Sequence, residues 1–306
     1  MSKEKTWRAV ALVGATASGK SRLAMDLCEG TDRLIICCDS VQVYRGLDIG
    51  SAKPTEEERR LVRHAMLDCC NLPDRFSAMR WASQALAHIR SENAQGRIPL
   101  IVGGSGFYLR ALLEGFADIP EESRAVRAML RLQLREQGIE ALYRELCICD
   151  PCLAKALQPR DTQRIMRALS VFKSTGIPLS TWQKRPHSKP AVVCPVFVLE
   201  CPRPVLRERI AERFHAMLDA GWLREVHWLS SFALDEDHPA RRAVGYRQLL
   251  AYVEGKLSLD EAIRDGITAT RRYAKRQGTW FRHQTRGAVF GSAAELVSGL
   301  RKALAL

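Results

Sequence analysis

The sequence predicts an α/β protein: a parallel sheet flanked by helices, carrying an inserted all-helical subdomain. Three observations carry that expectation. Apolar runs and helical-period segments alternate through residues 1–103, the pattern of parallel strands joined by crossover helices. From Glu121 to Ser180 the period is helical and no strand is visible. At Val192 to Leu199 an apolar, β-branched run returns, as a strand rejoining the first sheet would produce.

The elements follow in order. Arg8 to Val13 reads as a strand running into a glycine-rich turn, and Ser21 to Glu29 as the helix after it. Leu34 to Cys38 is a second strand, ending at Asp39. Ala78 to Ser91 has helical spacing, and Pro99 to Val102 is a strand ending at Gly103-Gly104. Gly176-Ile177-Pro178 stops one helix of the insertion, and the polar, proline-containing stretch Lys184 to Pro190 reads as a linker. From Val205 onward the chain is expected to be helical. The expected boundaries are a core of residues 1–119 and 191–306 and an insertion of residues 120–190.

The first turn carries chemistry. Gly14, Ala15, Thr16, Ala17, Ser18, Gly19, Lys20 and Ser21 fit GxxxxGK[ST] without mismatch, between a strand and a helix. Glycines let successive N–H groups curl around phosphate oxygens, and the helix N-terminus adds partial positive charge. Lys20 supplies a full charge, and the Ser21 hydroxyl is placed for Mg2+. The core is therefore expected to be P-loop NTPase-like. Pro99 to Val102 ends in Gly103-Gly104-Ser105 with no acid, so the carboxylate that usually holds Mg2+ in a nucleotide hydrolase is missing there. The strand-end acid is Asp39, with Ser40, Val41 and Gln42 after it. It fits a general base, a ligand of magnesium water, or a turn cap. Gln42 has the donor and acceptor that suit an adenine edge.

The formal net charge of +13, from 47 Lys and Arg against 34 Asp and Glu, favours a polyanionic partner. Its placement points the same way. Arg271, Arg272, Lys275, Arg276, Arg282 and Arg286 fall between Thr270 and Arg286 with no acid, interleaved with Tyr273, Trp280 and Phe281. Basic groups with aromatics between them suit RNA phosphates and unpaired bases. Nothing approaches the roughly 18 uncharged apolar residues of a membrane span. The charged start Met1-Ser2-Lys3-Glu4-Lys5 is unlike a signal peptide. No membrane association is expected, and the cytoplasm is the expected location. Cys149 and Cys152, with Cys147 nearby, form a CxxC that has no second half-site for zinc. No helix face is apolar without compensation, which favours a monomer.

Several blocks together resemble one family. They are Gly14–Ser21, Asp39-Ser-Val-Gln-Val-Tyr-Arg-Gly46, Asp48-Ile-Gly-Ser-Ala-Lys-Pro54, Gly103-Gly-Ser-Gly-Phe-Tyr108, Asp161 to Leu169, Val244 to Leu249 and Thr270 to Arg282. In this order, over nearly the whole chain, they resemble the tRNA dimethylallyltransferases, also called tRNA isopentenyltransferases. No Cys or His pair follows Phe281, so the resemblance is to the bacterial form, which lacks a C-terminal zinc finger.

The resemblance implies transfer of a dimethylallyl group from dimethylallyl diphosphate to the N6 amine of the adenosine next to the anticodon. It implies that the loop from Gly14 to Ser21 binds the leaving diphosphate, with Mg2+ on Ser21. It makes Asp39 the general base and assigns Lys20, Ser105 and Arg213 to the diphosphate and its charge. Serine at position 105 departs from the family's commoner threonine but keeps the hydroxyl. The insertion would grip the anticodon stem-loop through Arg127, Gln163, Arg164, Ile165, Met166 and Arg167. Further tRNA contacts would come from Asp39, Ser40, Val41, Gln42 and Ser105, and from Val244, Gly245, Tyr246, Arg247 and Gln248. Arg271, Arg272, Lys275, Arg276 and Trp280 complete the set. The competing reading is a small-molecule or nucleoside kinase built on the same loop. The missing acid and the basic C-terminal stretch argue against it.

Overall fold

The computed structural model describes residues 6–115, 119, 123–185 and 191–306. In chain order the first elements are β1 (Trp7–Arg8), β2 (Val10–Gly14), α1 (Lys20–Cys28), β3 (Leu34–Cys38), α2 (Glu56–Leu61) and β4 (Arg63–Ala65). α3 (Ala78–Ala94), β5 (Leu100–Gly103) and α4 (Gly106–Glu114) follow. Then come α5 (Arg124–Cys149), α6 (Pro151–Ala156), α7 (Thr162–Thr175) and α8 (Leu179–Lys184). The last stretch holds β6 (Val192–Val193), β7 (Val196–Leu199), α9 (Arg203–Asp219), α10 (Trp222–Ser230), α11 (Pro239–Arg242), α12 (Tyr246–Val253), α13 (Leu259–Gln284), β8 (Val289–Gly291) and α14 (Ala293–Leu304).

Six strands form one sheet in the order β4-β3-β5-β2-β7-β8, and every pairing in it is parallel. β2 and β3 are buried at every position, which is why they read as unbroken apolar runs rather than alternating ones. Helix α3 covers the sheet with Trp81, Ala82, Ala85 and Ile89, all buried. The Trp81 indole N–H donates to the Cys37 carbonyl at 2.9 Å, so its polar atom is satisfied inside the core. The Ser77 hydroxyl accepts from the Arg80 N–H and starts the helix.

Two expectations are corrected, and one strand is added. The run Val192 to Leu199 is two strands. Pro195 has no N–H to donate, and the ladder changes partner there: β6 pairs with β1 while β7 pairs with β2. The stretch after Val205 is not all helix, because β8 adds an edge strand beside β7. β4, on the other edge beside β3, has no forecast in the sequence. Both edge strands have only three residues, too few for a period to register.

The chain divides into two compact units, residues 1–114 with 190–306, and residues 115–189. The boundaries expected at 120 and 190 lie outside the described residues. The second unit is helical, packed around Leu130, Leu142, Leu146, Ile165 and Leu169. Helix α5 breaks at Gly138, whose φ of 75° is left-handed. Buried Asp150 joins two of its helices: one oxygen accepts from the Leu153 N–H at 3.1 Å and the other from the Ser180 N–H at 2.8 Å.

Candidate active site

The sheet's registers assemble the site. Cys38 lies beside Gly103, Gly103 beside Val13, and Gly14 beside Leu199. The residues that follow these strands therefore emerge together at the carboxyl edge, where open α/β sheets bind ligands. Gly103 is required there, since a Cβ would sit 2.0 Å from the Cys38 carbonyl oxygen.

The loop after β2 turns through left-handed backbone at Ala17 (φ 61°) and Gly19 (φ 97°). Gly19 caps α1, so the helix N-terminus faces the loop's interior. The Ser18 hydroxyl is buried and has no hydrogen-bond partner among the described residues. A buried polar group left this way is costly unless a ligand satisfies it. Lys20 folds back, its Nζ donating to the Ala15 carbonyl at 3.2 Å. Burial lowers its pKa to about 8; Asp39 works against this drop and Arg213 adds to it. Burial also lowers the Arg213 pKa, with Asp39 opposing. Lys20, Asp39 and Arg213 thus share one field, two cations around one carboxylate.

Asp39 is held by its own turn. Its Oδ1 accepts from the Val41 N–H at 2.8 Å and the Gln42 N–H at 3.4 Å, and no described residue donates to Oδ2. The cap reading is therefore correct and leaves one oxygen for chemistry. The Ser105 hydroxyl accepts from the Ser40 N–H at 3.1 Å, and the Ser105 N–H donates to the Cys38 carbonyl at 3.1 Å. The hydroxyl proton of Ser105 stays available to an anion. Gln42 departs from its expected role. Its amide donates to the Ser51 and Ala52 carbonyls at 3.1 and 3.0 Å, so its donors are committed to the fold.

A cavity of about 260 Å³ opens here. Thr16, Ala17, Asp39, Ser40 and Val41 line one side, and Ile210, Arg213, Phe214, Met217 and Trp222 the other. Arg242, Val244, Thr270 and Tyr273 also line it. Polar groups thus meet a mostly apolar wall, the usual makeup of a small-molecule site. The wall is tightly built, since a Cβ at Gly50 or Gly245 would lie 1.9 or 2.2 Å from the Trp222 ring. Mg2+ suits this corner by chemistry. The Ser21 hydroxyl is exposed at the start of α1. No group of three His, Cys, Asp or Glu side chains among the described residues could cage a metal, so a hard cation here would rely on the oxygens of a bound diphosphate.

Other expected contacts fall in different places. Tyr246 and Gln248 are buried. The Tyr246 hydroxyl donates to Glu225, and the Gln248 Oε1 accepts from the Gly245 N–H at 2.9 Å. Their side chains hold the wall and cannot reach RNA. Ile165 likewise belongs to the core of the helical unit, with Met166 packed against it. Gln163 and Arg164 are exposed at the start of α7, and Arg127 and Arg167 are partly exposed. Arg247, Arg272, Lys275 and Arg276 are exposed in the first unit. Arg271, Arg272 and Lys275 line a second, basic cavity of about 470 Å³ that reaches Gly14 and Ala15. Trp280 is half-buried, its ring against Gly106, where a Cβ would come within 2.1 Å. Thr270, Tyr273 and Gln277 join the site without having been singled out for it. All three lie in the basic stretch, where the charges and the aromatics, Tyr273 among them, were read for RNA and not for this cavity.

Residues 42–284 match the family described as IPP transferase. The chain is 44% identical over 278 residues to the tRNA dimethylallyltransferase of Azorhizobium caulinodans, covering 90% of this chain and 89% of the relative. It is also 44% identical over 282 residues to that of Halorhodospira halophila, covering 91% of each. Among solved structures it resembles the tRNA isopentenylpyrophosphate transferase of Bacillus halodurans at 32% identity and a TM-score of 0.67, covering 98% of this chain and 97% of that one. A eukaryotic dimethylallyltransferase acting on tRNA shares the fold, with a TM-score of 0.73 at 24% identity over 98% of this chain and 77% of that one.

Proposed function

The chain belongs to the IPP transferase family, and on that premise we propose that it is a tRNA dimethylallyltransferase, moving the dimethylallyl group of dimethylallyl diphosphate onto the N6 amine of adenosine 37 in tRNA. The observation that carries this reading is one cavity where Asp39 and Arg213 meet Thr16 of the phosphate loop and an apolar wall.

The donor's diphosphate lies in the loop from Gly14 to Ser21, against the α1 terminus and the Ser18 hydroxyl. The five-carbon group lies against Ile210, Phe214, Met217 and Trp222, which keep water from the reacting carbon. N6 attacks C1 of the donor. The C1–O bond breaks and its electron pair leaves on the diphosphate. Lys20 and Arg213 stabilise the charge that builds there. The N6 proton passes to Asp39, whose held Oδ1 aims the carboxylate. The amine is a weak nucleophile, so alignment and base assistance both matter. Ser21, with oxygens of the diphosphate, would hold Mg2+, which would supply charge neutralisation when bound.

The adenine must leave its stack to reach Asp39. The exposed Arg272, Lys275 and Arg276 of α13 would take phosphates of the anticodon stem-loop, as would Arg127, Gln163, Arg164 and Arg167 of the helical unit.

The test is a transfer assay with dimethylallyl diphosphate, Mg2+ and unmodified tRNA, read by nucleoside mass spectrometry. Wild type should form N6-dimethylallyl-adenosine, and Asp39→Asn should slow it by about a thousandfold. ATP-dependent phosphorylation of an acceptor without prenylated product would move the site to the kinase reading.

A further inference from the structure

Gln277 takes no part in the steps above, yet it touches both loops that would surround the diphosphate. It lies on α13 and is buried, with 7% of its surface exposed. Its Oε1 accepts from the Thr16 N–H at 2.9 Å. Its Nε2 donates to the Gly104 carbonyl at 2.9 Å. Thr16 belongs to the loop after β2, and Gly104 precedes Ser105 in the loop after β5. Ser105 in turn accepts from the Ser40 N–H beside Asp39. One amide therefore starts a chain of contacts that runs from the phosphate loop through Ser105 to the base.

We propose that Gln277 is a positioning residue, fixing the separation and orientation of the two loops that cradle the donor's diphosphate. The inference rests on the functional reading above, in that the bound anion is taken to be that diphosphate.

The chemistry suits an amide. Thr16 presents a donor and Gly104 an acceptor, and a carboxamide offers the complementary pair at this reach without any change of protonation state. A hydrophobic side chain of the same size would leave both backbone groups unsatisfied in a place where burial keeps water out. The surroundings are shaped for this contact. A Cβ at Gly104 would fall 2.3 Å from the Gln277 Nε2, so glycine permits the approach. Three residues on, Trp280 seats against Gly106 in the same way. α13 is thus docked at two successive points, one on the loop after β5 and one at the start of α4.

The clamp also accounts for how Thr16 meets the ligand. Its N–H is committed to Gln277, while the residue lines the cavity. The hydroxyl is then the group Thr16 presents to an anion, and the Gln277 contact sets its direction. Tyr273, one turn earlier on α13, lines the same cavity. The helix with the exposed basic face therefore also forms the back support of the phosphate loop.

The experiment titrates inorganic pyrophosphate with Mg2+ into wild type, Gln277→Met, Gly104→Ala and Lys20→Ala by calorimetry, with steady-state kinetics and tRNA binding alongside. Gln277→Met removes both hydrogen bonds and keeps the volume. Gly104→Ala leaves the glutamine in place and pushes it off its partner, so the test survives if the first variant fails to fold. Each should raise the pyrophosphate Kd and the KM for dimethylallyl diphosphate about tenfold, the scale of one or two lost hydrogen bonds. kcat should fall as well, while tRNA affinity stays within about twofold. Lower thermal stability with unchanged pyrophosphate affinity in both folded variants would overturn the inference and leave Gln277 an ordinary core contact. An unchanged Kd in Lys20→Ala would instead remove the phosphate cradle itself, and with it the premise.

Discussion

Two turns of this chain bear on an anion, and they are completed differently. In residues 48–50 the three N–H groups of Asp48, Ile49 and Gly50 donate to the Glu225 carboxylate at 2.8, 2.8 and 3.2 Å. Tyr246 donates to the same carboxylate. In the phosphate loop no carboxylate of the described residues fills the turn, the Ser18 hydroxyl has no partner among them, and Lys20 is depressed to about 8. The geometry is related and the outcome is opposite. A nest filled by the protein's own carboxylate is scaffold, while one left for an external anion is a site. The first places Gly50 and Ser51 on the cavity wall, so the filled nest serves the open one.

The comparison breaks most easily at Glu225. Glu225→Ala would strand three N–H groups and a buried hydroxyl, and should cost about 3 kcal/mol. The check is a lower urea midpoint with an unchanged denaturant slope. A cost near zero would mean that the filled nest supports nothing.

The next effect is on pH dependence. A free Lys20 with a pKa of about 8 is charged below that pH and neutral above it. A bound diphosphate favours the charged form, so binding must recover a proton once the pH passes 8. Pyrophosphate affinity should therefore weaken on that side, approaching about tenfold per pH unit, and be unaffected by Lys20 on the acid side. Lys20→Arg, whose guanidinium stays charged, should flatten the profile. Persistence of the slope in that variant would assign it to another group.

The smallest effect sharpens the contrast. Ser18→Ala removes a buried hydroxyl that has no partner among the described residues. Stability should hold or rise slightly, while pyrophosphate affinity falls by about threefold to tenfold. A clear loss of stability, read by thermal melting without ligand, would show that Ser18 belongs to the scaffold.

Much of the site is legible in the chain because its parts are contiguous. Gly14 to Ser21 is one turn between a strand and a helix, and its glycines and lysine imply a phosphate wherever the rest of the chain goes. Asp39 follows an apolar run, so its place at the strand end comes from local pattern. The rest depends on partners far away in sequence. Gln277 stands 261 residues from Thr16, and Glu225 stands 176 from Ile49. A basic stretch read by its charges hides the uncharged residue that matters to the loop. Tyr246 and Gln248 show the reverse. They sit in a block expected to touch RNA, but burial gives them to the wall.

By itself the sequence determined the phosphate loop, the strand-end acid, the alternation that makes a parallel sheet, and an excess of cations suited to RNA. Each of these is written in neighbouring residues, through backbone freedom, hydrophobic period or summed charge. Only the tertiary structure decided that β4 and β8 edge the sheet, that Asp39 caps its turn through Oδ1 while no described residue donates to Oδ2, and that an amide from α13 and a carboxylate from α10 hold the site's loops. Those outcomes turn on which buried polar groups find partners, and in a packed interior the partner is set by proximity in space and not along the chain.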